Sequence, residues 1–478
     1  MRLVIDTLKK VVYKYRHFIT WLGLFVIIFF LYYPTLHGTF ILDDYVWIEP
    51  LTLAQIGKLF VGSWEHGNTL RPIMRLLFLL NHTLFHDLSF GWHLTNVLLH
   101  TSVSWFVYFI LQKSTKRNWI ARISAVLFAI MPTHHEVVAW ISGQTHAWGL
   151  LLSLIAGLLF YYSLQQNQRH LEIEIAGYVV MFLAFLTYEI SFIIPLTMLV
   201  CLILFPQLKS KKIWRIVGIS FLLLFLLIIY RYFVLGHSTG SVGAQQTNIF
   251  LAPFFNARAV LHLFFYTKTL TFFYCVLIFL LAVGLFIKTK GIRPYGKLSI
   301  CCALLAVLAY LPFSVMNGVA PRFLYSTLFF FVLTIGFSLS NIQTSYKPYH
   351  FFLWLIVGNI ITLSIVRTSQ TASVYSALAD SYERVRNQVT NDYPLWPRNR
   401  ALLFYHIPNG VADGTQGVLA FLTYFDRAIR YGYPNQEAPQ LIFRAERLSP
   451  DELNKILLHQ PIVYDFVDLQ HGVIKMSD

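Results

Sequence analysis

The fold class that the sequence predicts is a polytopic α-helical membrane protein of about eleven spans, followed by a small C-terminal extracytoplasmic α/β domain. Composition is the first reason. Of 478 residues, 56% are hydrophobic and only 12% charged, and the apolar stretches are long enough to cross a hydrocarbon layer of roughly 30 Å. The second reason is where the positive charge lies. KKVVYKYRH precedes the first span, and KSTKR at 113–117, KSKK at 209–212 and KTKGIRPYGK at 288–297 mark further loops on the cytoplasmic side. The net charge of +15 is thus a topological signal, and no nucleic-acid partner is expected. The third reason is a shift after residue 367: ten Lys or Arg stand against twelve Asp or Glu from 368 onwards.

Hydropathy places spans near 18–35, 93–112, 119–135, 145–163, 175–188, 190–205, 214–234, 264–287, 299–315, 323–340 and 349–367, with a cytoplasmic N terminus. The first of these reads as a retained helix, because no small-residue cleavage site follows it and many more spans do. The run 175–206, interrupted by Tyr188, Glu189 and Pro195, is one kinked span or two short ones, and two keep KSKK on the basic side. The chain divides into a membrane domain at 1–367, with an external loop at 36–92, and an extracytoplasmic domain at 368–478. An external loop near 236–262 and a short turn at 316–322 share that outer face.

Within the tail, TASVYSALADSYERVRNQV and LAFLTYFDRAIRYGY read as helices, and RALLFYHIP, LIFRAE and PIVYDFVDL as strands. SPDELNKILLH opens with residues suited to a helix start. All four cysteines, Cys201, Cys275, Cys301 and Cys302, fall in apolar spans at spacings that suit packing rather than a metal or redox site.

Chemistry is expected on the outer face. Asp43 and Asp44 follow the first span in LYYPTLHGTFILDDYVWIEP, where two carboxylates beside an apolar helix are costly unless compensated. One can deprotonate a hydroxyl nucleophile while Arg71 holds a phosphate; equally, the acids can simply pair with Arg71 or Arg75. His93, Asn96 and His100 recur at helical spacing, suited to a polar head group or to a helix–helix hydrogen bond. His134, His135, Glu136 and His146 gather near a break at Pro132. HHE lacks the HExxH spacing of zinc sites, so a divalent metal on Asp44, His134 and Glu136 is a weak expectation and no cofactor is certain.

FILDDYVWI, RPIMRLLFLLNHTLF, GWHLTNVLLH, PTHHEVVAWISG, YEISFIIP and APRFLYS, in this order across roughly the first 330 residues, resemble the protein O-mannosyltransferase superfamily. The likeness is strongest to the membrane portion of tetratricopeptide-bearing transmembrane O-mannosyltransferases and their bacterial relatives. It implies a GT-C fold and an inverting transfer of one sugar from a polyprenyl-phosphate monosaccharide donor to a hydroxyl-bearing acceptor (protein, glycan or lipid) on the non-cytoplasmic face. The resemblance assigns the catalytic role to Asp43 and Asp44, places His134 and Glu136 at the family's histidine-and-glutamate position, and puts Arg322 at its late arginine. With Arg71, Asn96, His100 and Glu189, these make up the expected substrate site.

The chain departs from the family pattern at Met131, Gln144, His146, Tyr188 and Pro321, and its tail has no 34-residue tetratricopeptide pattern. The expected setting is the inner or plasma membrane. A transporter or flippase of a lipid-linked or anionic substrate, or a catalytically degenerate membrane scaffold, are the alternatives. Inverted repeats would mark the first, and none is evident.

Overall fold

The computed structural model describes residues 14–62, 70–165, 171–235, 268–286, 295–314, 320–342, 347–397, 400–406, 411–412, 418–419, 425–431, 433, 442–444, 448–458, 460–468 and 472–477. The expected loop at 236–262 and most of the turn at 316–322 lie outside these residues.

Helices come first along the chain: α1 (Arg16–Leu31), α2 (Tyr33–Leu36), α3 (Asp44–Trp47), α4 (Leu53–Lys58), α5 (Pro72–Phe85), α6 (Ser89–Thr115), α7 (Asn118–Ala129) and α8 (His135–Val138). They continue with α9 (Gln144–Gln165), α10 (Leu171–Phe185), α11 (Ile193–Leu204), α12 (Lys211–Leu235), α13 (Lys268–Phe286), α14 (Gly296–Ser314), α15 (Tyr325–Asn341) and α16 (Lys347–Asp392). Among the described residues, five helices are long and apolar enough to cross a membrane, and six shorter apolar helices accompany them.

This set does not coincide span for span with the sequence expectation. Pro72–Phe85, read as part of the outer loop, forms α5, because Pro72 takes the first helical turn and an apolar run follows. The 175–206 run resolves into α10 and α11, joined through a 3₁₀ turn at Glu189–Phe192. Phe18, Phe30, Phe225, Phe233 and Phe279 stay exposed on outward helix faces, as surfaces that meet lipid do.

Inside, Tyr32, Tyr45, Trp92, Tyr108 and Tyr325 are fully buried. Small residues let the helices close on one another. Ser299 of α14 and Ser338 of α15 share a hydrogen bond of 2.7 Å. At Gly336, a Cβ would stand 2.4 Å from a Leu111 methyl of α6, so any larger residue would have to push that side chain aside.

After α16 come β1 (Leu402–Tyr405), β2 (Val411–Ala412), β3 (Val418–Leu419), α17 (Phe425–Tyr431), β4 (Ile442–Arg444), α18 (Pro450–Leu458), β5 (Ile462–Asp468) and β6 (Gly472–Ser477). The main sheet runs in the order β4-β1-β5-β6, with β1 parallel to β4 and β5, and β6 antiparallel to β5. Ser449 caps α18 in a reciprocal box with Glu452. Two features differ from the sequence reading. Leu419, placed at the start of a helix, instead pairs in the β2–β3 ladder. α16 runs unbroken through 367/368, so the change in composition falls inside one helix.

Candidate active site

The acid pair sits on a sharp turn. Leu42 has φ 53°, a left-handed conformation that side-chain-bearing residues adopt at a cost, and it reverses the chain just before α3. The result is that two adjacent carboxylates meet different surroundings.

Asp44 is fully buried and fully engaged. One oxygen accepts hydrogen bonds from the backbone N–H of Ser142 at 2.8 Å and its hydroxyl at 2.5 Å; the other accepts from the Ile41 N–H at 3.1 Å. Asp43 Oδ1 is buried without a hydrogen-bond partner, and the Arg322 charge acts on this carboxyl group. Burial raises the pKa of Asp43, against the pull of Ser142 and Arg322. Burial together with the neighbouring Asp43 pushes Asp44 up to about 8, even against its three donors. Asp44 is therefore the member of the pair that keeps its proton near neutral pH.

Arg75 clamps the loop from beneath, donating to the backbone carbonyls of Trp47 and, at 2.6 Å, Glu49. Ser142 is held in turn by its own segment, a 3₁₀ turn at Ile141–Gly143. A Cβ on Gly143 would lie 1.8 Å from the Glu136 carbonyl oxygen, so glycine is needed for the turn to close on α8. Asn96 completes the frame, donating to the carbonyls of Val138 at 3.2 Å and Trp140 at 2.7 Å.

Two ionic centres flank the acids. Arg322 pairs with Glu136 at 2.9 Å and rests over the rings of Trp140 and Phe323. Arg71 and Arg231 both grip Glu189, at 2.7 and 2.8 Å, which leaves one positive charge in excess. Arg71 also lies over the Tyr188 ring, whose hydroxyl meets His146 Nε2 at 3.1 Å. Both Arg71 and Arg322 act electrostatically on Tyr188 and His146, so the two centres share one neighbourhood.

An apolar cavity of about 330 Å³, reached by Ile190 next to Glu189 in the chain, opens between α6, α9, α11 and α15. Phe106, Leu150, Gly157, Ile190, Met198 and Phe329 are among its walls, and it extends to Lys113 and Tyr161 at the opposite ends of their helices.

The structure thus brings together Asp43, Asp44, Arg71, Glu136, Glu189 and Arg322. It places the other expected substrate residues in the frame. His100 bonds the Tyr325 hydroxyl at 2.9 Å and the Ala129 carbonyl at 3.0 Å, and Asn96 holds the α8 segment. His134 packs among Phe128, Tyr325 and His100, with ring centroids 4.5, 4.9 and 5.1 Å away. Asp44, His134 and Glu136, the weak metal candidates, do not converge, and among the described residues no three His, Cys, Asp or Glu side chains do.

Ser142, Arg231 and the Tyr188–His146 bond are parts of the site that sequence reading did not single out. Only Arg231 carried a signal, as a lone arginine in the apolar run LLIIYRYF. From the other side, α17 docks on the acid loop: Arg427 pairs with Glu49 at 2.7 Å, and the Tyr431 hydroxyl donates to Asp87 at 2.5 Å. The Tyr431 ring meets that of Tyr45 edge-on at 5.5 Å.

No family model matches the chain. It is 34% identical over 151 residues to protein O-mannosyl-transferase TMTC1 of Mus musculus, covering 28% of this chain and 16% of that protein. To TMTC1 of Homo sapiens it is 31% identical over 151 residues, covering 28% and 17%. To Tmtc1 of Drosophila melanogaster it is 29% identical over 163 residues, covering 31% and 18%. The match therefore spans only 16–18% of the length of these relatives. In three dimensions, the chain is similar to the crystal structure of ArnT from Cupriavidus metallidurans bound to undecaprenyl phosphate, with TM-score 0.50, 11% identity and 93% of each chain covered. Over 28–31% of its length the chain is thus similar to protein O-mannosyl-transferases, as its motifs suggested, and its fold is similar to that of ArnT.

Proposed function

We propose that this chain is an inverting membrane glycosyltransferase that moves a monosaccharide from a polyprenyl-phosphate donor to a hydroxyl acceptor on the non-cytoplasmic face. The observation that carries the reading is the division of labour in the acid pair. Asp44 is locked by Ser142 and Ile41, whereas Asp43 keeps a buried oxygen free beside Arg322. The names of the relatives support sugar transfer, and the ligand of the ArnT structure supports a polyprenyl-phosphate donor.

In the proposed reaction, Asp43 takes the acceptor's hydroxyl proton as that oxygen attacks the anomeric carbon. The carbon–oxygen bond to phosphate breaks on the opposite face, and polyprenyl phosphate leaves with the bonding electrons. A buried base with a raised pKa suits this step better than a solvated one. The leaving group's growing charge needs fixed cations. Arg322 and the Arg71–Glu189–Arg231 centre, with its surplus positive charge, supply them without reorganising. The apolar cavity reached by Ile190 would hold the start of the polyprenyl tail. The C-terminal part, reaching the acid loop through Arg427 and Tyr431, would then lie over the acceptor side of the outer face.

Purified protein in lipid, given a panel of polyprenyl-phosphate monosaccharides and hydroxyl acceptors, should transfer or hydrolyse at least one donor. Asp43→Asn should cost about 10²–10⁴-fold, the usual worth of a general base. Asp44→Asn should cost less, because its role is to position. Folded protein that binds polyprenyl phosphate but turns over none of the panel would favour a transporter or scaffold.

A further inference from the structure

A second polar cavity lies at the far ends of the helices, away from Asp43, and has no part in the sugar-transfer reading. Its volume is about 510 Å³, and Leu171, Glu174, Lys211, Lys212 and Arg215 line it. Glu174 is buried at 2% exposure and grips Arg215 through both oxygens, at 2.8 and 2.7 Å, with Tyr178 donating to it as well. Its single negative charge is spent on fixing that guanidinium. Arg215 is half exposed, so its outer edge is presented to the cavity in a set position.

Lys211 and Lys212 add two further charges in the first turn of the 25-residue α12, where the helix dipole also favours an anion. Lys212 is anchored on the Ser163 carbonyl, whereas Lys211 is exposed. Two exposed apolar side chains, Leu171 and Trp214, stand at this level, and Trp is a residue of membrane–water interfaces.

We propose that this cavity binds the phosphate headgroup of an anionic phospholipid. Arg215 fixed by the buried Glu174, Lys212 anchored on Ser163 and the exposed Lys211 provide the charge, and the apolar rim and lipid-facing helices provide the acyl surface. A soluble phosphate would use the same charges but not the rim.

Native mass spectrometry of the purified protein, supplied with phosphatidylglycerol or phosphatidylcholine, tests this directly. Phosphatidylglycerol should be retained in preference. At about fivefold per basic residue near a membrane surface, the Lys211→Gln/Lys212→Gln double variant should weaken retention by roughly 30-fold. Lys211→Arg/Lys212→Arg should keep it, which separates loss of charge from loss of fold. Equal retention of the two lipids, or of phosphatidylglycerol by the native protein and the Gln variant, overturns the proposal. So does glycerol 1-phosphate competing as well as the lipid itself, which would identify a soluble phosphate instead.

Discussion

Ser142→Ala removes the hydroxyl that the acid pair shares. The Ser142 hydroxyl lies 2.5 Å from Asp44, a short contact to a group able to carry charge, and such bonds are worth about 1.5–3 kcal/mol. The backbone N–H groups of Ser142 and Ile41 remain, at 2.8 and 3.1 Å, so the loop keeps its course. The hydroxyl favours the charged form of Asp44, so losing it should raise that pKa from about 8 by roughly one to two units. With Asp44 neutral to higher pH, Asp43 is spared a neighbouring charge over a wider range. The alkaline limb of the transfer rate should therefore move upward by the same amount. Turnover at pH 7 should fall about tenfold, since a carboxylate pair loosened by a fraction of an ångström loses part of its alignment. A pH–rate profile of purified variant and native protein with one active donor decides it. If neither the rate nor the alkaline limb moves, Asp44 is not tuned through Ser142 and the division of labour in the pair is wrong.

Glu189→Gln removes the carboxylate that separates Arg71 from Arg231, and breaking such a buried arrangement costs on the order of 3 kcal/mol. Thermal unfolding should shift down by several degrees while polyprenyl phosphate binds as well or better; an unchanged unfolding temperature would refute a structural role for the centre. Gly157 lines the apolar cavity, and a Cβ there would meet nothing within 4 Å. Gly157→Leu should leave the fold intact but raise KM for long-chain donors more than for short ones, and an equal effect on both would place the lipid tail elsewhere.

Much of the site was legible in advance for a simple reason. A charged side chain beside an apolar span has few excuses, so Asp43, Asp44 and Arg71 stood out, while Glu136, Glu189 and Arg322 came with the family resemblance; the structure sets these residues near one another. What stayed hidden was which charge answers which. Nothing in the order of residues distinguishes Asp43 from its neighbour; the difference arises because the backbone N–H groups of Ser142, about a hundred positions away, and of Ile41 both point at Asp44. Asn96, His100 and His134 illustrate the converse. Their helical spacing invites a ligand, but a polar group deep among helices is satisfied most cheaply by a carbonyl or hydroxyl of the next segment, and Val138, Trp140, Ala129 and Tyr325 play that part for Asn96 and His100. In the tail, β1, β4, β5 and α18 followed their patterns, whereas β6 escaped notice because GVIKMS has too little alternation to mark a strand.

α16 has a mechanical consequence. At 1.5 Å per residue its 46 residues form a rod about 69 Å long, gripped at several levels. Thr368 donates to the Ile130 carbonyl, Tyr382 stacks on Tyr45 beside the acids, and the Tyr464 hydroxyl of β5 reaches Asp392 at its end. A rod held this way transmits rotation. Adding one residue below Tyr382 would turn everything beyond it by about 100°, carrying ring and sheet off their partners together. The angular phase of this single helix is therefore a gauge that registers the sheet against the acid loop, and it tolerates changes of side chain far better than changes of length.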